Sequence, residues 1–198
     1  ALPASAATAT FAERKTLQLD SKRAVARKGA SLITAGQVVI IDGGTTTSEM
    51  IACLPHDLAF TVVTHSPGIA VALADYPLIE VVMIGGRLYK HSQVAVGATA
   101  IEAMAHVRAD LFFMGVTGIH AEAGLSTGDY EESCIKRALS DRAAETIVLA
   151  SAEKINRAPA RVSGDSSRGN TLAADGTTED KAPAAAARRC GRQWRSSV

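Results

Sequence analysis

Aromatic residues are scarce: they make up 4% of the 198 positions, while apolar residues as a whole reach 47%. A core therefore has to be assembled from Ala, Val, Leu and Ile, a composition that suits helices packed on a parallel sheet. No sign of charge dominates either. The 21 basic and 20 acidic residues leave a formal net charge of +1, which gives no general electrostatic reason to bind nucleic acid or an anionic membrane. Cysteine is sparse, and Cys53, Cys134 and Cys190 form no C-x-x-C pair and stand beside no cluster of histidines. Neither a disulfide scaffold nor a zinc site is expected, and no cofactor is called for. No apolar run approaches the ~18 residues of a membrane span, and the Ala-rich start lacks the basic-then-apolar order of a signal peptide. These absences read as a soluble cytoplasmic protein with no membrane partner, long enough for one domain or for one domain and a tail.

What is present is an alternation of two kinds of segment. Asp20 or Ser21 caps a helix in which Val25, Gly29, Leu32 and Ile33 recur at helical spacing until Gly36 ends it. Residues 37–41 (QVVII) then read as a strand buried on both faces, and comparable runs follow at 60–63, 79–84, 110–115 and 146–150. Helix-length segments lie between them at 46–54, 68–74, 99–104 and 131–144. The alternation predicts an α/β fold, a mainly parallel sheet with right-handed crossovers and helices on both faces. Residues 1–19 read as a hinge or lead-in segment and 20–155 as the folded domain. Residues 156–198 read as a disordered tail, because no apolar periodicity survives there from which a packed element could be built.

In parallel sheets a ligand sits at the carboxyl ends of the strands, and here small or polar residues follow each strand at once. The first such turn is Asp42-Gly43-Gly44-Thr45-Thr46-Thr47. Its glycines allow close backbone approach, its threonines supply hydroxyls, and the free N–H groups of a helix start favour a phosphate. The same residues serve equally as a plain strand-to-helix turn in which a threonine caps the helix. Thr64-His65-Ser66 takes the corresponding place after the second strand, where His65 is a hydrogen-bonding residue more readily than a general base. Gly85-Gly86-Arg87 follows the third strand, with Arg87 either an anion fork or a solvent-facing side chain. Residues 124–129 (GLSTGD) read as a flexible loop able to act as a lid. Glu131 and Glu132 favour the positive end of the helix that follows, and Glu132 can pair with Lys136 four residues on. Lys154, just past the fifth strand, is placed to neutralise a phosphate.

Taken in order, SKRAVARKGASLI, VVIIDGGTTTSEMIACL, FTVVTHSPGIAVAL, VVMIGGRL, VGATAIEAM, DLFFMGVTGI, GLSTGDYEESCIKRAL and TIVLASAEK closely resemble the sensor domain of the DeoR family of bacterial transcription regulators. The resemblance covers about residues 11–155. It implies a fold like that of ribose-5-phosphate isomerase and, as effector, a phosphorylated sugar or related metabolite. By the same resemblance the phosphate loop is Asp42, Gly43, Thr45, Thr46 and Thr47, with Gly44 inside it. The family's strand-end T-N-S motif corresponds to Thr64, His65 and Ser66, its double glycine to Gly85 and Gly86, its E-x-x-x-K helix to Glu132 and Lys136, and its final lysine to Lys154. His65 stands where the family usually has Asn, and Ser151-Ala152-Glu153-Lys154 lacks the Asp that commonly precedes that lysine. After Ile155 the family has a further strand and helix, whereas this chain has RAPARVSGDSSRGNTLAADGTTEDK and an Arg- and Ala-rich end, as an altered reading frame would produce.

Family members carry a winged helix-turn-helix domain before the sensor. None is present here, so the resemblance implies DNA as a partner only through a domain that this chain lacks, and assembly as a homo-oligomer. The leading expectation is a non-catalytic effector sensor that controls DNA binding. A sugar-phosphate isomerase-like enzyme, with Asp42 or Glu132 moving the proton, is the alternative. A structural fragment that oligomerises and binds nothing is the third.

Overall fold

The computed structural model describes residues 9–120, 124–155 and 170–173. Two helices, α1 (Phe11–Thr16) and α2 (Leu19–Ala30), lead into β1 (Val38–Ile41). The helices α3 (Thr45–Ile51) and α4 (Pro67–Ala72) then connect β1 to β2 (Phe60–Thr64) and β2 to β3 (Ile79–Met83), the three strands running parallel. A hairpin of β4 (Arg87–Tyr89) and β5 (Val94–Val96) follows, then α5 (Ala98–Met104) and β6 (Ala109–Gly115). A second hairpin pairs β7 (Gly118–His120) with β8 (Gly124–Ser126). Next come α6 (Tyr130–Ser140), β9 (Ala143–Leu149), a 3-10 turn at Ala152–Lys154 and β10 (Asn170–Ala173).

Among the described residues the main sheet has six strands, all parallel, in the order β10-β9-β6-β1-β2-β3. The chain builds outward from β1 to β3, then returns to the other side of β1 with β6. The strand order thus reverses between β1 and β6, and a crevice opens beyond the carboxyl ends of strands at such a point. Side chains alternate across the sheet. Ile41, Phe113 and Leu149 pack with Val25, Met50 and Ile69 on one face, whereas Ile40, Phe112 and Val148 pack with Met104, Ile135 and Leu139 on the other. Each such fully buried Phe or Ile contributes roughly 1.5–3 kcal/mol by leaving water, and together they hold the strand ends in register.

The α/β fold with helices on both faces is as expected, and several local expectations need correction. The lead-in segment contains a helix, α1, closed by a capping box in which Glu13 N donates to Thr10 Oγ1 and Thr10 N to Glu13 Oε2. The start of α2 has no side-chain cap; Gln18, in the left-handed region at φ 51°, turns the chain directly from α1 into α2. Helix α2 ends at Ala30, well before Gly36. The expected helix at 131–144 stops at Ser140, because β9 begins at Ala143. The GLSTGD stretch is not a loose loop: Gly124–Ser126 is a strand, and Leu125, Ser126 and Thr127 are buried.

The expectation that no packed element follows residue 155 is also overturned at four positions. Asn170–Ala173 pairs in parallel register with Thr146–Leu149. A four-residue edge strand is too short to show a period, and its register comes from the open backbone edge of β9. The rest of the expected tail lies outside the described residues.

Candidate functional site

Asp42 stands at the reversal point, immediately beyond β1, and is 0% exposed. Its Oδ2 accepts from Gly115 N, at the end of β6, at 2.9 Å and from Lys136 Nζ on α6. Its Oδ1 accepts from His65 Nε2 at 2.8 Å. Burial pushes this carboxyl up, but Lys136 and the His65 hydrogen bond outweigh burial and hold it at about 2. Burial likewise pushes Lys136 down, and Asp42 with Glu132 outweighs it, leaving the ammonium above its usual value. The Glu132–Lys136 pair expected from i,i+4 spacing forms at 3.3 Å, and Glu132 Oε2 also accepts from Ser92 Oγ at 3.1 Å. Asp42, His65, Lys136, Glu132 and Ser92 thus form one buried polar chain.

The hairpin β4–β5 seals this chain from water. Ala95 N donates to His65 O at 2.7 Å, and His65 Nδ1 meets Ala95 O at 2.9 Å. Val94 lies so close over the turn that a Cβ on Gly43 would meet its Cγ1 at 2.1 Å, so Gly43 makes room for the hairpin. Ser66 Oγ donates to Gln93 O at 3.3 Å, while Thr64 Oγ1 donates to Ile41 O at 2.7 Å and accepts from Ser66 N. The hydroxyls of Thr64 and Ser66 are therefore spent within the protein.

Gly44, at φ 155°, opens α3, and its carbonyl accepts from Thr47 Oγ1 at 3.0 Å and Ser48 Oγ at 2.7 Å. Thr46 turns the other way: its Oγ1 accepts from Lys154 Nζ at 3.3 Å. Thr45 is buried beside them. Burial pushes the Lys154 ammonium down to about 8; Glu153 opposes this, and the nearby cations Lys22, Lys136 and Arg14 reinforce it. Lys22 on α2 is 2% exposed, is itself pushed down by burial, and donates to Arg14 O. A cationic cluster thus borders the free N–H groups of the α3 start, an arrangement that attracts a phosphate. Close by in sequence, Glu153 Oε2 is buried without a hydrogen-bond partner among the described residues.

Gly85 and Gly86 follow β3. Both are exposed, and Gly86, at φ 155°, faces Val96 O, which a Cβ would meet at 2.8 Å; it serves the close approach of β5 and α5. Arg87 is exposed and pairs with Glu131. Residues that sequence reasoning missed include Ser92, Arg14, His91 and Lys22. None belongs to a strand-end motif, though Thr10-x-x-Glu13 was a legible helix start one turn before Arg14.

The all-parallel sheet and its reversal point define an α/β domain whose fold is that of ribose-5-phosphate isomerase. The structure resembles ribose 5-phosphate isomerase A from Methanocaldococcus jannaschii with a TM-score of 0.51 at 18% identity, over 69% of this chain and 54% of that one. The DeoR C terminal sensor domain model matches residues 17–175, so the chain belongs to the DeoR sensor-domain family. Among curated relatives, it is 33% identical to the HTH-type transcriptional regulator GlpR of Haloferax volcanii, covering 75% of this chain and 58% of the relative. To the glycerol-3-phosphate regulon repressor of Escherichia coli K12 it is 27% identical, covering 79% of this chain and 62% of the relative. The chain spans less than two thirds of these relatives' length. The match also runs to residue 175, past β10. Among the described residues, no helix is long and apolar enough to cross a membrane.

Proposed function

We propose that this domain binds a small phosphorylated metabolite, a sugar phosphate or a close relative, without turning it over. The phosphate sits at the Thr45-Thr46-Thr47 turn with the N–H groups of the α3 start at its back and Lys154 as its countercharge. Bound effector then shifts the DNA affinity of a helix-turn-helix domain in a longer cytoplasmic, homo-oligomeric regulator. The observation that carries this reading is the meeting of Lys154 Nζ with Thr46 Oγ1 at the start of α3, where burial disfavours the ammonium and the Lys22 charge adds to that. The likeness to the glycerol-3-phosphate regulon repressor supports a phosphorylated effector. The orphaned Glu153 Oε2 supports a ligand that also carries hydroxyl donors.

Catalysis has weaker support. An isomerase needs a carboxylate free to take a proton, yet Asp42 is held at about 2 by its donors, and Glu132 is engaged by Lys136 and Ser92. A thermal-shift screen of phosphorylated sugars, run beside their unphosphorylated counterparts, tests the reading, since a ligand that binds only the folded state raises its apparent stability. Stabilisation by phosphorylated members alone is expected. Equal shifts from both sets would remove the phosphate assignment.

A further inference from the structure

Helix α1 is six residues long, and only Phe11 and Arg14 on it are half-buried. It lies against α3, whose first turn is the threonine loop. From there Arg14 reaches the turn of the β4–β5 hairpin. Its Nη2 donates to His91 O at 2.8 Å, and its Nη1 stands 2.6 Å from His91 Nε2 and donates to Ala9 O at 2.9 Å. A guanidinium only donates, so His91 accepts with a neutral ring; burial and the Arg14 charge both lower the His91 pKa. Helix α1 is therefore a strap from the anion loop to the hairpin that covers the strand ends.

The partners of Arg14 are all neutral. Among the described residues no carboxylate lies within ion-pair distance of it, and the Glu132 charge that it feels is already engaged by Lys136. Its charge reaches both Lys22 and Lys154 and works against their protonation. A half-buried cation with neutral contacts and cationic neighbours is stabilised by an anion placed among them.

Building on the phosphate reading above, we propose that Arg14 is a further effector-contact residue: an anion held by the threonine loop and Lys154 also engages the Arg14 guanidinium, and occupancy tightens the seat of α1 across the site. Helix α1 precedes residue 17, where the family match begins. The contact thus ties the ligand to the segment that leads into the sensor domain, and both are linked thermodynamically in either direction.

Inorganic phosphate is the probe. Its affinity is measured by titration calorimetry for the parent, Arg14→Gln, Arg14→Lys and Thr46→Val, and amide exchange across residues 11–16 is followed with and without it. Arg14→Gln is expected to weaken binding ~10-fold or more, as loss of one charge-assisted partner does, and phosphate should slow exchange in α1 of the parent but not of this variant. Arg14→Lys, which keeps the charge and the stem but not the fork, should fall between them and carries the test if Arg14→Gln does not fold. Parental affinity in both Arg14 variants, or unchanged α1 exchange in the phosphate-bound parent, overturns the proposal; weak binding by Thr46→Val would then leave the loop reading intact. Weak binding by Arg14→Gln with parental binding by Thr46→Val overturns the shared site, since the anion would then meet Arg14 without the loop. No binding by the parent overturns both.

Discussion

His65 and Asp42 meet at 2.8 Å with both side chains fully buried, and the other ring nitrogen of His65 faces the Ala95 carbonyl at 2.9 Å. His65 thus joins the Asp42 turn to the hairpin that covers it. His65→Ala leaves Asp42 short of a donor and should destabilise by about 3–5 kcal/mol, the usual cost of breaking a buried pair. Urea unfolding measures it.

Asp42 also sets an acid limit on stability. Its folded pKa of about 2 lies below the ordinary 3.8, so its contribution is fully present above about pH 4 and is lost as pH falls toward 2. A shift of this size corresponds to about 2 kcal/mol. Asp42→Asn should flatten the unfolding free energy across that window, and an unchanged slope would show that other groups govern acid unfolding.

Phosphate affinity should depend on pH through Lys154. Its pKa of about 8 in the free protein rises when an anion binds, so binding takes up a proton at higher pH. For a phosphomonoester, dianionic above about pH 6, affinity should be greatest below pH 8 and should fall as pH rises above it. Lys154→Met should lose phosphate binding and at the same time stabilise the free domain, because it removes an uncompensated cation. Calorimetry over pH 7–9.5 and thermal melts decide the matter; pH-independent affinity would mean that Lys154 does not touch the anion.

Gly43 offers a test of the hairpin's seat. The added methyl of Gly43→Ala collides with Val94 and should cost about 1–3 kcal/mol, as overpacking does. Val94→Ala in the same chain should restore part of the loss. A double-mutant cycle with no coupling would place the strain elsewhere.

Strand β10 gives a fifth expectation. Ending the chain at residue 155 removes the parallel partner of Thr146–Leu149 and opens that edge of the sheet. The shortened chain should melt lower and associate as its concentration rises. Light scattering and melting curves equal to those of the full chain would show that β10 contributes nothing.

The alternation of apolar runs and helix-length segments, the threonine turn after β1 and the i,i+4 spacing of Glu132 and Lys136 were all readable along the chain. They are local, since periodicity and turn chemistry act over a few residues. Two local features were short enough to escape: the six-residue α1, whose capping box was its only mark, and the four-residue β10. What tertiary structure alone decided is which of the candidate residues touch one another. Asp42 and Lys136 are 94 positions apart, Ser92 and Glu132 are 40 apart, and Arg14 and His91 are 77 apart. Only the reversal of strand order beside β1 and the fold-over of the hairpin bring them together. That same packing turned Thr64, His65 and Ser66 inward and brought Lys154 to Thr46. Burial and hydrogen-bond partners are properties of the assembled sheet, which no window of sequence contains.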